Sequence, residues 1–292
     1  MTKNSINVVW ASNLDEEFRR IVAFSHTFRY VAVDFEYPGV IVQTARDASA
    51  TTRYADMKSN VDCMNPIQVG LTLFNDTWQI NLNGFNPETD LQSRPSIELL
   101  RRSGVDLERN RAVGVSESIF ADRMLELLFG GGLLQWVTFH GLYDLGYLVK
   151  IMTRGEPLPD TALEFMRRVS YLLVTVYDIK YIAGVCDGLK GGEIGLMAVS
   201  KILEVDIEDG RHHQAGYDSL VTAMVFAKMK MTYMIDEFSF RGKLYGLHQR
   251  HESAWHPQLQ QPHSVMWSPA PPPPMMMVMH DGRYSHGTYF CY

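Results

Sequence analysis

Apolar positions along this chain recur with two different periods, and the switches between them mark out alternating strands and helices. Tyr30-Val31-Ala32-Val33 is a β-branched and aromatic run that reads as a buried strand and ends in Asp34-Phe35-Glu36. Successive side chains on a strand point to opposite faces, so Asp34 and Glu36 share one face and Phe35 occupies the other. Residues 67–74 and 78–82 alternate apolar with small or polar side chains around Asn75-Asp76, the pattern of an antiparallel hairpin. Further strands are predicted over 135–140 and 172–177.

Helical spacing appears at Leu14, Phe18, Ile21 and Val22, where Asn13 and Glu16 stand at capping-box distance. It returns over 96–102, stopped at Gly104, and over 116–129, stopped at Gly130-Gly131-Gly132. Leu145, Leu148, Val149 and Met152 follow Asp144 at helical spacing, and Leu220, Ala223, Met224 and Ala227 follow Asp218. Helices are also predicted over 161–170 and 193–203, and residues 44–60 read as a polar loop. This strand-helix order predicts an α/β fold of three layers, a central mixed β-sheet flanked by helices. In such a fold functional residues gather at one end of the sheet.

The apolar pattern continues without a clear linker to about residue 248, which suggests one domain over 1–248. From 249 to 292 the composition shifts to Pro, His, Gln, Ser and Met, including Pro271-Pro272-Pro273-Pro274-Met275-Met276-Met277. Such a tail cannot build a packed core, so disorder is expected there, although a proline run can dock in a partner's aromatic groove. The net charge of −6 argues against a strongly basic, nucleic-acid-coating protein. Cys63, Cys186 and Cys291 are too few and too odd in number for a disulfide framework, which suggests free thiols in a reducing compartment. No run approaches the ~18 apolar residues of a membrane span, so an intracellular, soluble protein is expected.

Taken singly, the acids have ordinary explanations. Asp34 and Glu36 could edge a solvated loop, Asp144 and Asp218 could cap their helices, and His213 could pair with His212 on the surface. Asp178 fits a helix cap or a partner of Lys180, and Leu189-Lys190-Gly191-Gly192 fits a turn without phosphate-loop spacing. Together the acids invite another reading. Like charges at strand and helix ends repel, so such a group persists only if protonated or neutralised by cations. Hard divalent ions with oxygen ligands do this, and two of them roughly 3.5–4 Å apart can promote in-line displacement at a phosphodiester. A histidine nearby is suited to take a proton from water.

An Asp-x-Glu on a first strand, Tyr143-Asp144 at the start of a later helix and His213 five residues before Asp218 resemble the DEDDh exonucleases. The flanks narrow the resemblance. Val9-Trp10-Ala11-Ser12-Asn13-Leu14, Tyr37-Pro38-Gly39-Val40, Phe139-His140-Gly141-Leu142-Tyr143-Asp144, Tyr177-Asp178-Ile179-Lys180-Tyr181, Leu189-Lys190-Gly191-Gly192, His213-Gln214-Ala215-Gly216 and Leu244-Tyr245-Gly246-Leu247 together are similar to the Caf-one/Pop-two deadenylases. The resemblance covers about residues 8–247. It implies a ribonuclease H-like fold, with Asp34, Glu36, Asp144 and Asp218 as ligands of two divalent ions, Mg2+ or Mn2+, and His213 as general base. It further implies a 3′→5′ exoribonuclease acting on the poly(A) tails of messenger RNA and releasing 5′-AMP. The implied partners are poly(A) RNA, the scaffold subunit of the Ccr-Not complex and a leucine-rich-repeat deadenylase subunit, without a membrane, and the implied locations are cytoplasm and nucleus. Phe35, Tyr37, Gly141-Leu142 and Tyr217 depart from the family pattern beside the acids. Phe35 and Leu142 motivate a second reading, a weakly active or inactive scaffold in the same complex. A DNA-directed exonuclease of the same superfamily is a third.

Overall fold

The computed structural model describes residues 6–207 and 212–248, and the described residues belong to one compact unit. The expectation of a disordered tail over 249–292 lies outside the described residues. In chain order the elements are β1 (Ile6–Val9), α1 (Leu14–Ser25), β2 (Tyr30–Glu36), α2 (Ala50–Cys63), β3 (Gln68–Leu73) and β4 (Asp76–Asn81). Next come α3 (Arg94–Arg102), α4 (Leu107–Val113), α5 (Glu117–Gly130), β5 (Gln135–Thr138), α6 (Leu142–Met152) and α7 (Ala162–Leu173). The last are β6 (Val176–Asp178), α8 (Ile179–Ala183), α9 (Leu196–Ile202), α10 (Ala215–Tyr233) and α11 (Glu237–Phe240).

The six strands form one sheet in the order β1-β4-β3-β2-β5-β6. β2, β3 and β4 run antiparallel to their neighbours among themselves, whereas β1 joins β4, β5 joins β2 and β6 joins β5 in parallel. The sheet is therefore mixed, and helices cover both faces.

Alternation along β2 divides the two cores. Val31, Val33 and Phe35 point into the larger one, with Trp78, Phe18, Phe120, Tyr147 and Leu148 from β4, α1, α5 and α6. Ala32 points into the other, with Tyr177, Val221 and Val225 beneath α8, α9 and α10. Each large apolar side chain buried this way contributes about 1.5–3 kcal/mol. Asp34 and Glu36 extend the Ala32 face to the strand end, as the period-two reading requires.

β3 carries unusually little bulk on that same face. Gln68, Gly70 and Thr72 lie there, and the first turns of α10 come down onto them. Thr72 Oγ1 meets Ser219 Oγ at 2.9 Å, the Ala215 N–H reaches Gln68 Oε1 at 3.4 Å, and a Cβ on Gly70 would overlap the Ala215 carbonyl. Gly70 pairs in register with Asp34, so this close approach sets α10 beside the first carboxylate.

The structure departs from the sequence pattern in several places. Most of the expected loop over 44–60 is α2, whose buried face is only Tyr54, Met57, Asn60 and Val61 and whose start is capped by Ser49 Oγ accepting the Thr52 N–H. The strand expected at 172–177 shrinks to β6, because α7 runs on to Leu173 and ends where Val174 takes φ +58°. Asn13 precedes α1 without capping it: its side chain accepts the Trp10 N–H and donates to the Val8 carbonyl. Among the described residues Cys63 and Cys186 are free thiols, and no helix is long and apolar enough to cross a membrane.

Candidate active site

Three elements converge at the end of β2. Asp34 and Glu36 come from the strand itself, Asp144 from the first turn of α6, and Asp218 from the first turn of α10. His213 stands just before α10 with φ +63°, a left-handed conformation that turns the chain sharply into the helix, and its N–H donates to Asp218 Oδ2 at 3.2 Å. One ligand atom each of Glu36, His213 and Asp218 falls within a group spanning 4.8 Å. Asp34, Glu36, His213 and Asp218 line a cleft of about 360 Å3 whose remaining walls include Tyr37, Val40, Gln43, Ser93, Ser96 and Leu99.

Asp144 lies deeper and is only 6% exposed. Its Oδ1 accepts the Phe35 N–H at 2.9 Å, so it sits behind the two β2 carboxylates. All five residues singled out in the sequence are thus brought to one place.

Crowding and burial push every one of these acids upward. Burial holds Asp34 and Glu36 well above the usual carboxylate range, and the neighbouring charges of Asp144 and Asp218 add to it in both cases. Burial raises Asp144 to about 8, with Asp178 and Asp218 contributing and the Phe35 N–H opposing. Burial likewise raises Asp218 to about 6 against the His213 N–H. Burial, and then His212, push His213 below its ordinary value, which keeps its imidazole neutral near pH 7.

An oxygen-rich set of mutually repelling carboxylates fits hard divalent cations, because bound positive charge removes the repulsion that the protein alone leaves in place. Asp34, Glu36, Asp144 and Asp218 are the residues that would hold them.

Of the residues that depart from the family pattern, Phe35, Leu142 and Tyr217 pack into the two cores, and Tyr37 walls the cleft. Phe35 is 3% exposed and its ring stacks on Tyr147 with centroids 6.3 Å apart, on the opposite side of the strand from Asp34. Leu142 is 5% exposed and packs in the same core, and Tyr217 lies in the second core with its ring edge-on to His212. Tyr37 is half-buried and stacks on Tyr143 at 5.2 Å.

Asp178 has a role only half visible in the sequence. It caps α8 by accepting the Lys180 N–H at 3.0 Å, as one of its two readings expected. It also accepts the N–H of His140 at 2.8 Å and of Tyr245 at 2.9 Å, so one fully buried carboxylate joins the loop before α6 to the segment after α11. Gly70 was missed as well, though a glycine inside a strand pattern is a recognisable sign of close backbone approach.

Comparison with known proteins agrees with this geometry. Residues 9–116 and 107–226 match the family described as CAF1 family ribonuclease. Two Arabidopsis thaliana proteins, probable CCR4-associated factor 1 homologs 1 and 5, are 39% and 41% identical over 247 and 227 residues. These alignments cover 82% and 76% of this chain and 68% and 81% of the two relatives. The structure of S. pombe Pop2p in its Mg2+- and Mn2+-bound form is 32% identical, with a TM-score of 0.74 over 83% of this chain and 99% of that one. The RNase domain of the yeast Pop2 protein superposes with a TM-score of 0.72 at 25% identity, covering 84% of this chain and 95% of that one. The three-layer sheet with its carboxylates at one end is accordingly of the ribonuclease H-like kind, and the chain belongs to the CAF1 family of ribonucleases.

Proposed function

We propose that the chain is a divalent-ion-dependent 3′→5′ exoribonuclease that shortens the poly(A) tails of messenger RNA and releases 5′-AMP. The observation that carries this reading is the convergence of Asp34, Glu36 and Asp218 on one cleft, with Asp144 behind them and a neutral His213 at its edge. The S. pombe protein was solved with Mg2+ and Mn2+, which supports the same ions here; the proposed number of ions is two. When bound, they supply charge neutralisation and Lewis acidity at the scissile phosphate.

The protein's own groups do the rest. Asp34 and Glu36 stand on a rigid strand end, and Asp144 is clamped to that strand through the Phe35 N–H, so the ligand set is preorganised rather than assembled on binding. His213 accepts the proton of the attacking water, a role for which a lowered pKa suits it. The water oxygen bonds to phosphorus as the bond between phosphorus and the upstream 3′ oxygen breaks, and that oxygen takes a proton from solvent to become the new 3′ hydroxyl end.

The relatives' designation as CCR4-associated factor homologs supports placing the chain in a Ccr-Not assembly; its proposed partners there are a scaffold subunit and a leucine-rich-repeat deadenylase, and its proposed locations are cytoplasm and nucleus. The scaffold-only reading drew on Phe35 and Leu142, and both pack away from the carboxylates. The deciding experiment follows a 5′-labelled RNA ending in a poly(A) tract with Mg2+ or Mn2+, for the intact chain, Asp34→Ala and His213→Ala. Stepwise loss from the 3′ end that both substitutions abolish is expected. A folded intact protein without activity would overturn the nuclease reading in favour of the scaffold.

A further inference from the structure

A second, smaller cleft of about 230 Å3 is lined by Arg46, Arg53, Glu193, Tyr245 and Gly246. Lys180 Nζ stands 4.7 Å from the centroid of the Tyr245 ring, and the His140 ring meets that ring edge-on at 4.9 Å. Arg53 donates to the Arg46 carbonyl and packs against the turn at Gly246, where an added Cβ would lie 3.2 Å from Arg53 Cδ. Glu193 is the one carboxylate among the lining residues. It accepts the Tyr245 hydroxyl at 2.9 Å and lies 3.7 Å from the guanidinium of Arg46. Arg46 is 90% exposed, so that pair contributes little to folding and does not explain the arginine.

Two features set this cleft apart. Arg46, Arg53 and Lys180 gather at Tyr245, whose hydroxyl and N–H donate to Glu193 and the buried Asp178, in a chain whose net charge is −6, and two of these cations reach the same ring: burial, then Lys180 and Arg53, press His140 down to about 4 against the charge of Glu193. The cleft also adjoins the carboxylates. Asp178 accepts the N–H groups of both Tyr245 and His140, and its own charge reaches Asp144. A strand of RNA held at the carboxylates carries its next phosphates within reach of neighbouring side chains, and the groups suited to receive them are cations beside an aromatic ring.

We propose that Arg46, Arg53 and Lys180 form a subsite that binds backbone phosphate of the RNA strand upstream of the scissile bond. This rests on the exoribonuclease reading above. A phosphate contact carries no base information, so the subsite strengthens binding equally for every sequence and acts only on substrates longer than the terminal nucleotide.

The test measures binding of a 5′-fluorescein-labelled adenosine dodecamer to the full chain in EDTA, by anisotropy, from about 50 to 300 mM KCl. Each single-strand phosphate contact adds about 0.7 to the salt slope of the binding constant, so Arg46→Gln/Arg53→Gln is expected to lower the slope by about 0.7–1.4. A uridine dodecamer should lose the same fold-affinity, and Arg53→Lys should keep the slope. Arg46→Gln, which alters an exposed side chain, reports on the cleft even if Arg53→Gln disturbs the turn at Gly246. An unchanged slope in both Gln variants, or a loss confined to the adenosine oligomer, overturns the proposal. Hydrolysis of the p-nitrophenyl ester of 5′-AMP with Mn2+ is the companion readout, because that substrate has no upstream phosphate, and equal rates in wild type and variants are expected. A chain that hydrolyses neither ester nor RNA but shows the slope loss would sink the nuclease reading while leaving the subsite standing. Intact hydrolysis with an unchanged slope would do the reverse.

Discussion

The backbone N–H of Phe35 donates to Asp144 Oδ1 at 2.9 Å, and this single bond ties the strand bearing Asp34 and Glu36 to the helix bearing Asp144. Its origin is topological. The parallel pairing of β2 with β5 ends at Ala32 and Val137, and the chain then leaves β5 through His140 into α6. Beyond that point the strand edge has no strand beside it, and the first turn of α6 delivers a carboxylate to the vacant position.

Asp144→Asn separates the geometry from the charge, because the amide oxygen can still accept the Phe35 N–H. The expected result is a loss of nuclease rate of about 10²–10³-fold or more, since one charged ligand is gone. At pH 8 and above, where Asp144 is ionised, the metal-free protein should meanwhile become more stable, because the burial of that charge and its repulsion of Asp34 and Asp218 are both removed. Each kcal/mol of relief raises Tm by about 2–4 °C in a chain of this size. Thermal unfolding in EDTA checks it, and a lower Tm for the variant would show that repulsion is not what burdens the site.

The same repulsion sets a pH dependence. Asp144 and Asp218 titrate at about 8 and about 6 in the folded chain, above the ~3.9 of an unfolded aspartate. A carboxyl raised on folding binds protons more tightly in the native state, so its stabilisation is complete below about pH 4 and is lost as pH rises through 6 and then 8. The metal-free protein should therefore melt at progressively lower temperature from pH 5 to pH 8. Divalent ions bind the deprotonated form, so the increase in Tm on adding Mn2+ should be larger at pH 8 than at pH 6. A metal response independent of pH would argue that these two carboxylates are not ligands.

His213→Gln should leave the fold intact, because the residue is exposed and its main-chain N–H to Asp218 is retained. Removing the proton acceptor should reduce kcat by about 10²–10⁴-fold with little change in KM. Because burial and His212 hold His213 below its ordinary value, the acid limb of the wild-type rate profile should fall below about pH 6.5. The part of that limb due to His213 should vanish in the variant. A profile with the same limb in both proteins would assign it to the carboxylates instead.

Most of this site was legible in the sequence because its residues sit where secondary structure changes type. Asp34 and Glu36 end a strand that is plain from Tyr30-Val31-Ala32-Val33, and Asp144 and Asp218 stand in the first turns of helices with clear apolar spacing. α2 was not legible, because its buried face mixes Tyr54, Met57 and Val61 with Asn60, whose buried amide is satisfied by bonds to Ile41, Val42, Asp56 and Tyr143. β1, α4 and β6 span 4, 7 and 3 residues, too few for a period to declare itself. Lys150 shows the same limit for a side chain. Nothing in the apolar spacing of α6 marks it, yet it is 7% exposed and donates to the carbonyls of Val61 and Met64, at the end of α2. Such pairings depend on which elements become neighbours, which local pattern does not encode.

Gly70→Ala tests whether helix placement, rather than residue identity alone, makes the site. An added Cβ would overlap the Ala215 carbonyl, and β3 cannot yield because Gly70 is paired on both sides, with Asp34 of β2 and Gln79 of β4. The start of α10 must therefore lift from the sheet. Overpacking of this kind costs about 1–3 kcal/mol, and each kcal/mol lowers Tm by about 2–4 °C. The effect on rate should exceed the effect on stability, because the displaced turn carries Asp218 and His213 immediately precedes it. A shift of about 1 Å in a reacting group can cost about 10²-fold, so a fall in kcat of that order is expected well below the variant's melting temperature. A lowered Tm with kcat intact would mean that α10 absorbs the methyl group elsewhere along its length. The contact between Gly70 and Ala215 would then serve packing alone.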